Sequence, residues 1–146
     1  MTGEAAHSVS VAGVVIDENG RTLVIQRRDN GHWEPPGGVL ERDESIIEGL
    51  LREVREETGL LVEPMVLTGV YKNMRLGVVV LVFRCRPAGG TLTENSEAAG
   101  FRWIQESEAS AIMPEAFAIR ILDAYRNDAE PSIRDHDGVK LITPTS

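Results

Sequence analysis

The chain has 146 residues, with 15 Lys and Arg against 23 Asp and Glu, a formal charge of −8. A chain of this length is expected to be one domain burying about 68–70% of its unfolded surface, so a core can form without disulfides. The composition excludes a disulfide scaffold, since the lone Cys85 has no partner within the chain, and the acidity argues against stable nucleic-acid binding, which needs a basic surface.

A single cysteine is also expected of a reducing, cytoplasmic setting. The longest apolar run, Val78 to Phe83, is far short of the ~20 residues that cross a bilayer, so no membrane association is expected. The first fifteen residues contain Glu4 and lack a basic start before an apolar run, so no secretory leader is read there. At first sight the charge also argues against a polyanionic ligand.

In chain order, Ser8 to Ile16 and Thr22 to Gln26 are β-rich runs joined by Asp17-Glu18-Asn19-Gly20, whose Asn-Gly favours a tight turn. Arg27 to Gly31 reads as loop, and Pro35-Pro36-Gly37-Gly38 excludes helix and central strand. Ser45 to Thr58 reads as helix. Ser45 and Glu48 fit a capping box, and Gly59 stands where a left-handed C-terminal cap belongs. Met65 to Val70, Leu76 to Cys85 and Phe101 to Ile104 read as strands, with a loop opening at Gly89-Gly90. Glu115 to Arg126 carries an apolar helical stripe behind Pro114. Strands mixed with two separated helices predict an α/β or α+β sandwich over residues 1–130. Residues 131–146 are polar and turn-rich, and are expected to be a peripheral extension or a loose tail.

On a helical wheel, Ile46, Ile47, Leu50, Leu51 and Val54 gather on one side of the first helix, and Arg52, Glu53, Glu56 and Glu57 occupy the adjoining side. Carboxylates at i, i+3 and i+4 repel one another, and a hard divalent cation reverses that penalty. A solvated charged face is the competing reading. Gly49 in the acidic arc counts against it. A better helix former there would be worth about 1 kcal/mol, and its missing side chain leaves room for something to approach. Gly37-Gly38 add exposed backbone at a tight turn just before the helix.

Gly38, Glu44, Arg52-Glu53-Val54, Glu56-Glu57 and Gly59-Leu60 stand at the spacings of the Nudix signature, and this 23-residue stretch resembles that of the Nudix hydrolase family at all nine constrained positions. At ordinary residue frequencies such a match arises by chance on the order of 10⁻⁷. The resemblance implies a Nudix-type α/β/α sandwich with a mixed β-sheet. It also implies Mg²⁺- or Mn²⁺-dependent hydrolysis of a diphosphate bond in a nucleotide-type small molecule. By position, Glu53, Glu56 and Glu57 would be metal-binding carboxylates, with the Gly37 carbonyl as a further ligand. Arg52 would orient the glutamates, and Gly38, Glu44 and Gly59 would be structural. Glu53 and Glu97 are both candidates for the general base, with Glu94 a weaker one. Departures from the family pattern at Pro35, Asp43 and Gly49-Leu50 remove no ligand and bear on substrate geometry instead.

Thirteen of the fifteen basic residues are arginine, which suits bidentate phosphate recognition. Arg27 and Arg28 are the best phosphate-contact candidates, and Trp33 a candidate for stacking on a base, against the alternative of a packed loop aromatic. Tyr71, Lys72 and Asn73 read as a polar strand end, and Cys85 as a small core residue. His7, His32 and His136 lack metal-site spacing. A catalytically silent nucleotide-binding or sensor module is the alternative function. An isoprenoid diphosphate isomerase is disfavoured, because no cysteine lies near the signature. A homodimer stays open, as dimers are the commonest soluble oligomers. Between Gly38 and Leu60 lie seven acids and three arginines, half of the total charge of −8. Concentrated in this way, the acidity reads as a socket for divalent metal and no longer argues against a nucleotide.

Overall fold

The computed structural model describes residues 5–143. Residues 1–4, with the Glu4 of the leader reading, and 144–146, the end of the C-terminal extension, lie outside them.

The strand expected at the start is β1 (Ser8–Val15), and its two-residue alternation divides the protein into two cores. Val11 and Val15 pack with Leu50 and Val54 of the first helix on one face, while Ala12 and Val14 pack with Ala118 and Ile121 on the other. The tight turn after it forms as expected: Asp17 Oδ1 accepts the Asn19 and Arg21 N–H groups at 2.9 Å, and Gly20 takes φ +78°. The next strand, β2 (Thr22–Arg27), meets the chain through an isolated Ile16–Thr22 bridge just past the end of β1. It then turns away into a second sheet, because Leu23 and Val24 are also claimed by different cores. The short β3 (Trp33–Glu34) follows, and then β4 (Gly37–Val39), which pairs with β1 at an edge of the large sheet.

The first helix, α1 (Ile46–Thr58), has both capping-box bonds, and Gly59 at φ +83° ends it through an N–H donated to the Arg55 carbonyl. A β-carbon at Gly59 would strike the Thr91 carbonyl as well as strain that backbone.

The middle strands are longer than expected. β5 (Leu60–Asn73) starts directly after the helix cap and pairs antiparallel with β6 (Val78–Gly90) from Leu60↔Gly90 to Asn73↔Val78. Register shifts flank Pro64 and Pro87, so the ladder accommodates residues with low strand propensity. Gly89 and Gly90 therefore end a strand instead of opening a loop. β7 (Ala98–Ile104) completes a three-stranded sheet ordered β3-β2-β7. The four-residue α2 (Ala109–Ile112) and α3 (Glu115–Tyr125) follow.

Residues 132–142 supply two strands, β8 (Ser132–His136) and β9 (Leu141–Ile142), to the far edge of the large sheet. Of the two readings of this segment, the loose tail does not describe it, because β8 pairs in parallel with β5 and His136 is buried, while its strands do lie at the edge of the sheet. The large sheet, ordered β4-β1-β6-β5-β8-β9, is mixed, with α1 over one face and α3 over the other: an α/β/α sandwich. Among the described residues, no helix is long and apolar enough to cross a membrane.

Candidate active site

The buried edge of α1 carries Leu50, Val54, Glu53 and Glu57 together, so the packing that covers the sheet also draws two carboxylates inward. Glu53 is 8% exposed and Glu57 5%. The loop before β7 adds Glu97. One oxygen from each of Glu53, Glu57 and Glu97 lies within 4.8 Å of the other two. These residues line a cleft of about 590 Å³ with Arg27, Arg28 and Glu41.

The helix start and the loop ahead of it are tied by Arg52. Its Nε donates to Glu44 Oε2 at 2.8 Å, its Nη1 to Glu53 Oε1 at 2.8 Å and Glu56 Oε2 at 3.2 Å, and its Nη2 to the Val39 carbonyl at 3.2 Å. Glu44 also accepts the Glu41 N–H at 2.8 Å, and these bonds hold its carboxyl down to about 2. The glycine loop meets the same cluster. The Gly37 N–H donates to Glu57 Oε1 at 2.6 Å, and the Glu53 carboxylate lies so close to Gly38 that a β-carbon would overlap it.

Burial pushes the Glu57 carboxyl up to about 8, opposed by the Gly37 bond and reinforced by repulsion from Glu53, Glu97 and Glu34. Burial also raises Glu53, against the pull of Arg52. Hard carboxylate oxygens that converge and repel form a donor set suited to a divalent cation such as Mg²⁺ or Mn²⁺.

Several sequence readings shift. Glu56 stands outside the converging group, with its side chain 53% exposed and held by Arg52. Glu97 takes its place in the cluster, whereas Glu94 does not join it. The space at Gly49 is filled by the protein itself: Leu40 and Glu44 press on it, so no ligand enters there. Trp33 lines neither this cleft nor the neighbouring one; its ring is half-buried under the Arg102 guanidinium, at 5.5 Å. Arg27 reaches the cleft but is paired with Asp29 at 2.6 Å and Glu34 at 3.2 Å. Arg28 donates through Nε to the Asn95 carbonyl at 2.7 Å and makes no ion pair among the described residues. The sequence reading passed over Asn95, which organises Glu97. Its Oδ1 accepts the Glu97 and Ala98 N–H groups at 2.9 Å, and its Nδ2 donates to the Glu57 carbonyl at 2.6 Å. An Asn two residues before the acidic candidate was the available signal, since Asn side chains bond their own backbone two residues on.

The comparisons with known proteins find the same arrangement of a mixed sheet sandwiched by helices. The NUDIX domain model matches residues 6–126. A MutT-like protein of Streptomyces ambofaciens is 55% identical over 97% of this chain and 91% of its own length. An ADP-ribose pyrophosphatase of Methanocaldococcus jannaschii is 35% identical over 62% of this chain and 57% of its own. Among solved structures, a NUDIX hydrolase from Nitrosomonas europaea superposes with a TM-score of 0.75 at 23% identity, over 89% of this chain and 80% of that one. The chain belongs to the Nudix family and is a Nudix-type pyrophosphohydrolase.

Proposed function

We propose that the protein hydrolyses a diphosphate bond in a nucleoside triphosphate or another nucleoside diphosphate derivative, with Mg²⁺ or Mn²⁺. The observation that carries this reading is the convergence of Glu53, Glu57 and Glu97 within 4.8 Å at the floor of a cleft edged by Arg27 and Arg28. Those carboxylates would hold the ion, with Glu56 and the Gly37 carbonyl as further ligands carried over from the family resemblance. A bound ion would supply neutralisation of the diphosphate and a lower pKa for its water.

The chain's own groups do the rest. Water attacks phosphorus, the bond from phosphorus to the bridging oxygen breaks, and the water's proton passes to a carboxylate, Glu53 or Glu97. Arg52 positions Glu53 through its bond to Oε1, and Glu44 fixes Arg52 in turn. Arg28, without a carboxylate partner among the described residues, is the stronger phosphate contact, and Arg27 the weaker because two acids already neutralise it. Relatives named as an 8-oxo-dGDP phosphatase of Mus musculus and an ADP-ribose pyrophosphatase support the substrate class and leave the leaving group open.

The test is a nucleotide panel assayed for released phosphate and pyrophosphate with Mg²⁺, with Mn²⁺ and with chelator. Turnover that chelator abolishes is expected. Absence of turnover with either ion would favour the silent binding module.

A further inference from the structure

Glu97 stands in the acidic group against the charges it joins. It is exposed, and it belongs to residues 91–97, which link β6 to β7 without a helix or strand of their own. Among the described residues its hydrogen bonds are all made by its backbone, so no partner holds the carboxylate itself. Glu53 and Glu57, converging with it within 4.8 Å, repel it. A loop glutamate placed in this way swings out to solvent unless its backbone is fixed.

The half-buried Asn95 fixes it from both ends of one amide. Oδ1 accepts the Glu97 and Ala98 N–H groups, which closes the turn that carries Glu97. Nδ2 donates to the Glu57 carbonyl at 2.6 Å and to the Thr93 carbonyl at 3.3 Å. Two N–H groups face the oxygen and two carbonyls face the nitrogen, so the amide has one satisfied orientation. A single side chain thereby joins the backbones of two of the three converging acids, one on α1 and one on the loop. The main chain of Asn95 adds a third tie. Its carbonyl accepts Arg28 Nε at 2.7 Å, while the Arg28 N–H donates to the Glu97 carbonyl at 3.0 Å. Arg28 is thus pinned at Nε beside the cleft, and its two Nη atoms have no partner among the described residues.

We propose that Asn95 is a positioning residue that fixes Glu97 against Glu57 and holds Arg28 beside them, so that one side chain sets the strength of metal binding and of phosphate binding together. The inference rests on the proposed hydrolase function for the nature of the two ligands. A carboxylate already held in place binds a cation more tightly than one on a free loop, because the cost of ordering the loop is met in folding and not at binding. The same holds for a guanidinium whose Nε is already anchored. Neither role can pass to an aspartate, which lacks the donor and sets its charge against the Glu57 carbonyl, or to an alanine, which lacks both ends of the amide.

The test titrates intact protein with Mn²⁺ in the absence of any nucleotide, reading the free ion by electron paramagnetic resonance, and measures kcat and KM separately. Asn95→Ala should weaken Mn²⁺ binding about ten- to a hundredfold, lower kcat by a similar factor and raise KM. Asn95→Ser keeps an oxygen for the Glu97 N–H but does not reach the Glu57 carbonyl, so it should fall between Asn95→Ala and the wild type. Thr93→Ala removes a different bond of the same loop, from Thr93 Oγ1 to the Thr91 carbonyl at 2.8 Å, and should leave Mn²⁺ affinity unchanged. A lower Tm in the Asn95 variants with wild-type Mn²⁺ affinity, kcat and KM in the folded protein would overturn the proposal, as would an equal loss of affinity in Thr93→Ala. If Asn95→Ala does not fold, Asn95→Ser decides by the same criterion. Mn²⁺ binding that depends on Asn95 without turnover of any nucleotide would sink the hydrolase reading alone, and turnover with Mn²⁺ affinity indifferent to Asn95 would sink this one alone.

Discussion

The buried acids on the helices that cover opposite faces of the large sheet form two clusters with their neighbours, Asp123 on α3 and Glu53 with Glu57 on α1, and the two are balanced in different ways. On α3, Asp123 accepts the Tyr71 hydroxyl at 2.7 Å and Arg134 Nε and Nη2 at 2.7 and 2.8 Å, with Arg126 at 3.9 Å. On α1, Glu57 has one backbone N–H from Gly37 and is surrounded by Glu53, Glu97 and Glu34. The first group is complete within the chain, and its work is to bind α3 to β5 and β8. The second holds more carboxylates than the chain balances, which suits it to a positive group from outside. Two equally buried carboxylates can thus be structural or functional according to who supplies the counter-charge.

The largest effects should separate the two regions by the property each controls. Glu57→Gln removes one oxygen ligand from the converging set, so kcat should fall at least about 10²-fold while the stability of the metal-free fold at neutral pH holds. Glu56→Gln should cost less, because Glu56 lies outside the cluster. Steady-state kinetics with Mg²⁺ checks both, and a larger loss at Glu56 would restore the helix-only carboxylate set. Asp123→Asn should do the reverse: it strands Arg134 and should destabilise by about 3–5 kcal/mol in denaturant titration, leaving the kcat of the folded fraction nearly unchanged.

The pH responses should also oppose each other. Glu57, raised from 4.5 to about 8, is protonated in the metal-free fold at neutral pH. Its contribution to stability is full below about 4.5 and is lost as pH rises through about 8. His136 is lowered by burial and by the charge of Arg120, so its contribution is full above 6.5 and is lost as pH falls below that value. Tm measured against pH in chelator should therefore flatten on the alkaline side in Glu57→Gln and on the acid side in His136→Gln. The smallest effect is expected of Arg126→Ala, at most about 1 kcal/mol, since that side chain is largely exposed, lies 3.9 Å from Asp123 and otherwise pairs with the exposed Asp128 at 2.8 Å.

Much of the acidic region was legible in advance because its determinants are local. Ser45 with Glu48, Gly59 in a left-handed cap, and Arg52 one turn from Glu56 all follow from helical geometry, which a few residues impose on their neighbours. The α3 region was far less legible. Tyr71 read as a polar strand end and is fully buried against Asp123, 52 residues away, and His136 read as part of an extension and is buried near Phe117.

The sequence by itself determined the signature helix, its caps, the concentration of half the net charge in 23 residues, and with them the family. Only the tertiary structure decided which acids converge. It brought in Glu97 through Asn95, left Glu56 at the rim, and turned the opening at Gly49 into a packing contact with Leu40 and Glu44. It also buried Arg120 Nε and His136 Nε2, from α3 and β8, without hydrogen-bond partners among the described residues. The physical reason is the range of the interactions. Caps and helix faces are fixed within one or two turns, whereas a charge's burial and its counter-charge depend on strands far away in the chain.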